Sequence, residues 1–369
     1  MIGPRAHGGN VGWAAAQANC PADAILDFSA SISPLGPPQK CLEVIQSHLG
    51  LLRHYPDPEY QDLKQALSQF HQLPPEWIMP GNGSAELLTY AGRELSEQTA
   101  TVLMTPAFGD YYRALTAYNV EVLEFPVFGE GRAGKMDLST YQPLSSLPCS
   151  LLKFAHRRGL VLNNPHNPTG KLWTRLSILP LLQELPLVVV DEAFMDFLPP
   201  EKEQSLIPLI EEYPNLVILR SLTKFYSLPG LRLGYAISHP QRLKRWQSWR
   251  DPWSVNILAS AAAIAALADK EFQQQSWEWL APTRNNFLKK LSSLPGLLPI
   301  PSTANFLLVN SSKTGSQLQE SLLKCHQILI RDCLSFSELD DRYFRVAVLS
   351  KDDNERLISA LSSILSTGF

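Results

Sequence analysis

The sequence predicts an α/β fold, in which a large domain with three α/β/α layers and a mostly parallel sheet is joined to a smaller α+β domain. From about residue 60 onward, helical patterns alternate with short, continuous apolar runs, which are typical of parallel strands covered on both faces. This alternation of helical patterns and apolar runs ends near residue 269 and does not continue beyond it. The length of 369 residues fits two domains at about 100–200 residues each.

The predicted elements of the large domain follow from apolar spacing. Residues 60–70 and 84–95 have the periodicity of amphipathic helices, and the alanine-rich residues 256–269 form a third helix. Short apolar runs predict strands at residues 100–104, 120–125, 159–163, 187–190 and 216–219. Polar residues follow the carboxyl ends of these strands, which is where open α/β sheets place their ligands.

The smaller domain is predicted from the remaining segments. It contains a tryptophan-rich helix, a basic helix and two strand-like runs, at residues 272–280, 283–291, 305–310 and 343–348. The amino-terminal segment is rich in glycine and proline and lacks the α/β alternation, so we expect it to pack with this domain. The predicted division is therefore a large domain of residues 46–269 and a small domain of residues 1–45 and 270–369.

Composition argues against several classes of function. The net charge is −3, from 32 basic and 35 acidic residues, and no basic run favours nucleic-acid binding. The longest apolar run, residues 257–268, is too short to span a bilayer, and the first residues contain no hydrophobic signal segment. Five cysteines without a CxxC pair predict neither a disulfide framework nor a metal site, so we expect a cytoplasmic protein without membrane or nucleic-acid partners.

The strongest chemical signal is the string SLTKFYSLPGLRLGY at residues 221–235. Lys224 follows Ser221 and Thr223 at a strand end, and Arg232 lies between two glycines. The string resembles the cofactor-lysine motif of the fold-type I pyridoxal 5'-phosphate (PLP) enzymes, the aspartate aminotransferase superfamily. In that family the lysine forms a Schiff base with the cofactor aldehyde, and the serine and arginine hold its phosphate. The residues suit these roles, because nearby cations and burial deprotonate an amine and a guanidinium grips phosphate with paired hydrogen bonds.

A glycine turn matches the same family upstream. The string GNGSAE at residues 81–86 precedes a helix, and a helix start offers free N–H groups to an anion. By itself such a turn is more often only a turn. The resemblance assigns it to the cofactor phosphate through Gly83, Ser84 and Ala85.

Two further matches concern the cofactor ring. Asn167, in the string NNPHNPTG, matches the asparagine that hydrogen-bonds to the ring oxygen. Asp191, in the string DEAF, matches the aspartate that keeps the ring nitrogen protonated, so that the ring accepts electrons from the substrate. The competing interpretation is a helix N-cap, a common role for aspartate. Most aminotransferases have tyrosine where this chain has Phe194, and a phenylalanine cannot donate to the ring oxygen.

Two aromatic residues complete the implied cofactor site. Phe108 matches the aromatic residue that stacks on the ring, and Tyr55 matches a tyrosine that reaches across a dimer interface to the partner's cofactor phosphate. The resemblance therefore implies a homodimer. An ordinary core phenylalanine and a surface Tyr-Pro turn are the competing interpretations.

The ends of the chain resemble the branch of this superfamily that decarboxylates threonine phosphate, which is related to the histidinol-phosphate aminotransferases. The resemblance implies that Arg345 grips a substrate carboxylate and that Arg331 faces a substrate phosphate. Two arginines suit a small phosphorylated amino acid with two anionic groups. His7, Ser31 and Asn167 are also assigned to the substrate, although this branch usually has asparagine at position 31 and often again where this chain has Ser33.

Two activities stay open at this point. One is decarboxylation of L-threonine O-3-phosphate, and the other is transamination of the histidinol-phosphate type with 2-oxoglutarate. The bond that breaks at Cα is the one held perpendicular to the cofactor ring, so the substrate rotamer decides between them. A non-catalytic PLP-binding regulator is a third class, which the lack of a helix-turn-helix or basic DNA-reading segment disfavours.

Overall fold

The computed structural model describes residues 8–130, 136–144, 155–336 and 338–366. Its strands are β1 Leu26–Asp27, β2 Ile78–Asn82, β3 Ala100–Thr105, β4 Val122–Pro126, β5 Phe128–Glu130, β6 Met136–Tyr141, β7 Arg158–Asn163, β8 Leu187–Asp191, β9 Leu216–Ser221, β10 Leu233–Ser238, β11 Leu297–Pro299, β12 Phe306–Ser311, β13 Ile328–Leu329, β14 Arg331–Asp332 and β15 Tyr343–Ala347. Its helices are α1 Val11–Ala18, α2 Gln39–His48, α3 Gln61–His71, α4 Ser84–Leu95, α5 Gly109–Thr116, α6 Arg175–Glu184, α7 Pro240–Gln247, α8 Ile257–Ala268, α9 Lys270–Ser292, α10 Gly315–His326 and α11 Lys351–Ser366.

Seven strands form the large sheet in the spatial order β2-β10-β9-β8-β7-β3-β4. The strands from β9 to β4 pair in parallel, and β10 runs antiparallel to both of its neighbours. Side chains of the central strand β8 alternate between two apolar cores: Val188 and Val190 face one, and Leu187 and Val189 face the other. Helices α3, α6 and α8 contribute to the first core, and α4, α5 and α7 to the second. The predicted three-layer architecture is confirmed.

A four-stranded antiparallel sheet with the order β11-β12-β15-β14 forms the carboxyl-terminal part. The amino-terminal segment packs with this part of the chain. Its strand β1 pairs in parallel with β13 in a separate two-stranded sheet, and Ala347 N in β15 donates to the carbonyl of Phe28 over 2.8 Å. In contrast, α2 packs toward the large sheet, where Cys41 Sγ contacts the carbonyl of Ala262 at 3.3 Å. The predicted small α+β unit is thus present, while the exact domain boundaries stay a prediction.

One helix differs from the sequence prediction. Residues 272–280 and 283–291 were expected to form separate helices, but they belong to the single helix α9, with Pro282 inside it. Proline removes a backbone donor and usually breaks a helix. Here Leu280, Phe287 and Leu291 all lie buried on one face at helical spacing, so tertiary packing on both sides of Pro282 maintains the helix.

The structure bears on two other functional classes. No helix in the described parts of the chain is both long and apolar enough to cross a membrane. Among residues 8–130, 136–144, 155–336 and 338–366, no group of three histidine, cysteine or acidic side chains is placed to hold a metal ion.

Candidate active site

A cavity of about 330 Å³ lies at the carboxyl ends of the central parallel strands, a volume at the lower end of the range usual for small-molecule sites. Most of the residues that the sequence assigned to cofactor or substrate line it: Ser31, Ser84, Ala85, Phe108, Asn167, Asp191, Ser221, Thr223, Lys224, Arg232 and Arg345. Lining residues that the sequence analysis did not assign are Gly8, Ser29, Ala30, Leu88, Asp110, Tyr111, Asn163 and Ala193. Phe194 also lines this cavity.

Lys224 follows β9 and lies in the cavity wall. Burial lowers the pKa of this amine to about 8, and the positive charges of Arg345 and Arg232 act in the same direction. The carboxylates of Asp191 and Asp27 oppose them. Lys224 is therefore neutral, and able to attack an aldehyde, far more often near neutral pH than an ordinary lysine is.

A cradle for a phosphate lies where α4 begins. Gly83 precedes the helix with a φ of +75°, and a Cβ added to it would lie 2.8 Å from Arg232 Nη2. A Cβ added to Gly234 would lie 2.5 Å from Ser84 N. Because both positions are glycine, the free N–H groups of the helix start approach the Arg232 guanidinium, and Ser221 stands in the same cavity. These groups together suit a phosphate dianion.

Asp191, the last residue of β8, has both carboxylate oxygens engaged. Oδ1 accepts a hydrogen bond from Ala193 N at 2.9 Å, and Oδ2 accepts one from Tyr111 Oη at 2.7 Å. Burial raises the pKa of Asp191, whereas these two hydrogen bonds and the charge of Lys224 favour the carboxylate. Such a buried carboxylate fits a protonated ring nitrogen as its counter-ion.

Asn167 is held by two partners. Its backbone N–H donates to Asn163 Oδ1 at 2.6 Å, and its side-chain Oδ1 accepts a hydrogen bond from Arg345. The side-chain amide N–H groups are left as donors, which suits the predicted bond to a ring oxygen. Arg345 also donates to the carbonyl of Ser29 at 3.2 Å, while its Nε is buried without a hydrogen-bond partner among the described residues.

Arg331 lies directly opposite Arg345 in the register of the antiparallel strands β14 and β15. Both side chains are buried, and burial lowers the pKa of each, with Arg331 lowering that of Arg345 further. Arg331 donates to Ser335 Oγ and stands apart from the lining of the cavity. Like charges directly opposite on adjacent strands are unfavourable, so this pair favours a bound anion.

Of the other residues singled out by the sequence, Tyr55 does not line this cavity. Tyr55 is 77% exposed and stacks on Trp253 with ring centroids 4.5 Å apart, away from the cavity of its own chain. His7 falls outside the described residues. Phe194 packs edge-on against Phe306, with ring centroids 5.0 Å apart, and so adds apolar contact where the resemblance leads one to expect a phenol.

A buried ion pair behind the cavity was missed by the sequence analysis. Arg220 Nε lies 3.0 Å from Glu192 Oε2, and both side chains are almost completely buried. Arg220 precedes Ser221, and Glu192 follows Asp191, so the pair ties the ends of β9 and β8 together. The adjacent motif residues gave no local signal for this contact, because it forms only when the strands pair.

Fold and cavity together define a PLP enzyme of fold type I, in which Lys224, Asp191 and the cradle at Arg232 fit the aldehyde, ring nitrogen and phosphate of the cofactor. The chain belongs to the aminotransferase class I and II family, whose model matches residues 23–361. Its cofactor is accordingly pyridoxal 5'-phosphate.

Several proteins are similar to nearly the whole length of this chain. A threonine-phosphate decarboxylase of Salmonella typhimurium is 38% identical over 98% of this chain and 97% of its own length. The crystal structure of L-threonine-O-3-phosphate decarboxylase from Porphyromonas gingivalis is 27% identical, with a TM-score of 0.79 over 93% of this chain and 100% of that one. A histidinol-phosphate aminotransferase from Sinorhizobium meliloti, solved in complex with pyridoxal-5'-phosphate, is 26% identical, with a TM-score of 0.83 over 100% and 95%.

Proposed function

We propose that this enzyme decarboxylates L-threonine O-3-phosphate to (R)-1-amino-2-propanol O-2-phosphate and CO2, a step in building the aminopropanol arm of cobalamin. The observation that carries the proposal is the buried, opposed pair Arg331 and Arg345. A substrate with a phosphate and a carboxylate neutralises both arginines at once. The 38% identity to a threonine-phosphate decarboxylase supports the same substrate.

Each of these residues has a separate role in the proposed reaction. When bound, pyridoxal 5'-phosphate withdraws electrons from the bond that breaks at the substrate Cα. Asp191 keeps a proton on the ring nitrogen, and Asn167 donates to the ring oxygen. Arg331 binds the substrate phosphate, and Arg345 binds the carboxylate through its unpartnered Nε. These two anchors hold the Cα–carboxylate bond perpendicular to the ring, so that it breaks in preference to Cα–H.

Lys224 completes the reaction as a proton donor. The carboxylate leaves as CO2, its bonding electron pair stays at Cα, and a proton from the Lys224 ammonium then reaches Cα. An amine whose pKa lies at about 8 both accepts and gives up a proton near neutral pH, as an efficient acid–base group must. Ser31, in the cavity wall with a buried hydroxyl that has no partner among the described residues, is placed to add a hydrogen bond to the substrate, and the proposal includes His7 as a further phosphate contact.

Transamination of the histidinol-phosphate type is the second candidate. The TM-score of 0.83 to an aminotransferase favours it, because the two activities share a fold and a cofactor. In that reaction Lys224 would instead remove a proton from Cα, and a keto acid would be required in every cycle.

Release of CO2 in the absence of any keto acid distinguishes the two activities. The purified enzyme loaded with pyridoxal 5'-phosphate is expected to release CO2 from L-threonine O-3-phosphate over many turnovers, with one equivalent of aminopropanol phosphate formed per CO2. Turnover that requires histidinol phosphate and 2-oxoglutarate, with no CO2 released, would establish the aminotransferase instead. Turnover of neither substrate by the loaded enzyme would favour the regulator.

A homodimer is the proposed assembly. Several exposed apolar side chains lie within residues 42–55 or against them: Leu42, Leu49, Leu51, Leu52, Tyr55 and Trp253, which contacts Tyr55. A cluster of exposed apolar side chains is typical of an interface, and the exposed Tyr55 is proposed to reach a partner's cofactor phosphate from there. Light scattering is expected to give twice the chain mass of 41.2 kDa. A monomer that binds the cofactor with full affinity would refute both the dimer and the role of Tyr55.

A further inference from the structure

We propose that Tyr111 is a positioning residue for the cofactor: its hydroxyl holds the Asp191 carboxylate ionised and aimed at the ring nitrogen. The inference rests on the cofactor alone and is independent of which substrate the enzyme uses. The site residues assigned from the sequence do not include Tyr111.

The Tyr111 hydroxyl is buried and donates a hydrogen bond to Asp191. Tyr111 is 3% exposed, and its Oη donates to Asp191 Oδ2 at 2.7 Å. The other oxygen, Oδ1, is held by Ala193 N at 2.9 Å. With one fixed donor on each oxygen, the carboxylate cannot rotate without breaking a buried hydrogen bond, and one lone pair on each oxygen remains for the ring nitrogen.

The local chain explains why Tyr111 reaches Asp191. Tyr111 lies in the first turn of α5, where its backbone N–H donates to the carbonyl of Phe108 at 3.0 Å. The two rings meet edge to face, with centroids 5.9 Å apart. The turn that presents Phe108 for stacking on the cofactor therefore also aims the Tyr111 hydroxyl at the partner of the ring nitrogen.

The same contact separates Tyr111 from proton transfer at the substrate. Among the described residues that line the cavity, Tyr111 carries the one phenol, since position 194 is phenylalanine. Burial raises the pKa of Tyr111 well above its usual range, and the negative charge of Asp191 raises it further. Its proton is thus retained by the hydroxyl and shared with Asp191, so Tyr111 does not compete with Lys224 as the proposed proton donor to Cα.

Removal of the hydroxyl has a definite electrostatic consequence. A hydrogen bond to an ionised carboxylate stabilises the charged form. Without it, the proton shared between Asp191 and the ring nitrogen moves toward the carboxylate, and the ring loses positive charge. The nitrogen that joins Lys224 to the cofactor would then bind its proton more tightly, because the positive charge on the ring, which opposes that protonation, would be smaller.

Tyr111→Phe in the cofactor-loaded enzyme tests this without any substrate. The visible absorbance band of the cofactor held at Lys224 is expected to titrate about one pH unit higher, and the dissociation constant of the cofactor to rise roughly tenfold, as for loss of a hydrogen bond to a charged group. Tyr60→Phe is the matched control: Tyr60 is also buried, but its hydroxyl bonds only to backbone groups of Pro252 and Val255. The control is expected to titrate as the unsubstituted enzyme does.

A double-mutant cycle separates positioning from a merely structural role. In the Asp191→Asn background, Tyr111→Phe is expected to shift neither the titration nor the cofactor affinity further, because the charge it supports is gone. If the shifts persist undiminished in that background, or if Tyr111→Phe titrates and binds cofactor as the unsubstituted enzyme does, the proposal is wrong. Either result leaves the proposed decarboxylation untouched, since no substrate enters the measurement.

Discussion

Replacement of Lys224 by alanine is expected to abolish the visible absorbance band of the bound cofactor and to lower the decarboxylation rate by at least about 10²–10⁴-fold, the usual contribution of a positioned acid–base group. The reason is that Lys224 is the amine in the cavity whose pKa is lowered to about 8 by burial and by the charges of Arg345 and Arg232. Absorbance of the reconstituted protein and single-turnover CO2 release measure the two effects.

The fold is expected to survive this substitution. Because the pKa of Lys224 is lower in the folded chain, the unfolded state binds the proton more tightly, and this penalty on stability grows as the pH falls from 10.5 toward 8 and is complete below about 8. Alanine removes the penalty, so the cofactor-free variant should unfold at pH 7 at the same or a higher temperature than the unsubstituted protein without cofactor.

Lys64→Ala provides the matched control for the loss of a lysine. Burial lowers the pKa of Lys64 as well, but Lys64 is in α3 and outside the cavity lining, so its replacement should leave the absorbance band in place. An unchanged band in Lys224→Ala, or its loss in both variants, would contradict the assignment of Lys224.

The central sheet was predictable because its signals are local. The strand β8 is an unbroken apolar run that ends in Asp191, and its side chains enter both cores. A strand of this kind requires helices on both faces, so the sequence period itself implies three layers. The glycine turn was visible in the sequence for a related reason, since glycine at position 83 is required by a positive φ and by the close approach of Arg232. Its assignment to the cofactor phosphate came from the family resemblance and stays a prediction.

Features that depend on pairing between distant segments were not predictable in the same way. Pro282 was expected to end a helix, but burial on both sides of it keeps α9 continuous. No role was assigned to Tyr111 from the sequence, because its Asp191 contact exists only after β8 and α5 pack together. The family resemblance supplied roles for Arg331 and Arg345, but it could not reveal that they face each other across two strands.

In the proposed reaction, Arg331 and Arg345 recognise the two anionic groups of the substrate. Both guanidinium groups are buried. Arg331 Nη1 lies 4.0 Å from Asp332 Oδ1, and Arg345 Nε has no hydrogen-bond partner among the described residues. A phosphate carries up to two negative charges and accepts paired hydrogen bonds from a guanidinium. Most of the binding free energy for the phosphorylated substrate is therefore expected to depend on Arg331.

Arg331→Ala is expected to lower kcat/KM for L-threonine O-3-phosphate by about 30- to 4,000-fold, since loss of one partner of a buried charge pair costs about 2–5 kcal/mol and each 1.4 kcal/mol is about tenfold. The slow reaction of unphosphorylated L-threonine should change little, because the substitution leaves the proposed contact between Arg345 and the carboxylate in place. Parallel measurement of kcat/KM for both substrates gives the ratio that defines the phosphate contact.

Two further variants identify what Arg331 contributes. Arg331→Lys keeps the charge but loses the planar fork, so it should recover only part of the preference for the phosphorylated substrate. Arg342→Ala removes an exposed arginine that donates to the carbonyl of Ser312 at 2.6 Å and should leave both substrates unaffected. Equal losses for threonine and threonine phosphate in Arg331→Ala would reject the phosphate role, because a group that binds the phosphate cannot affect a substrate that has none.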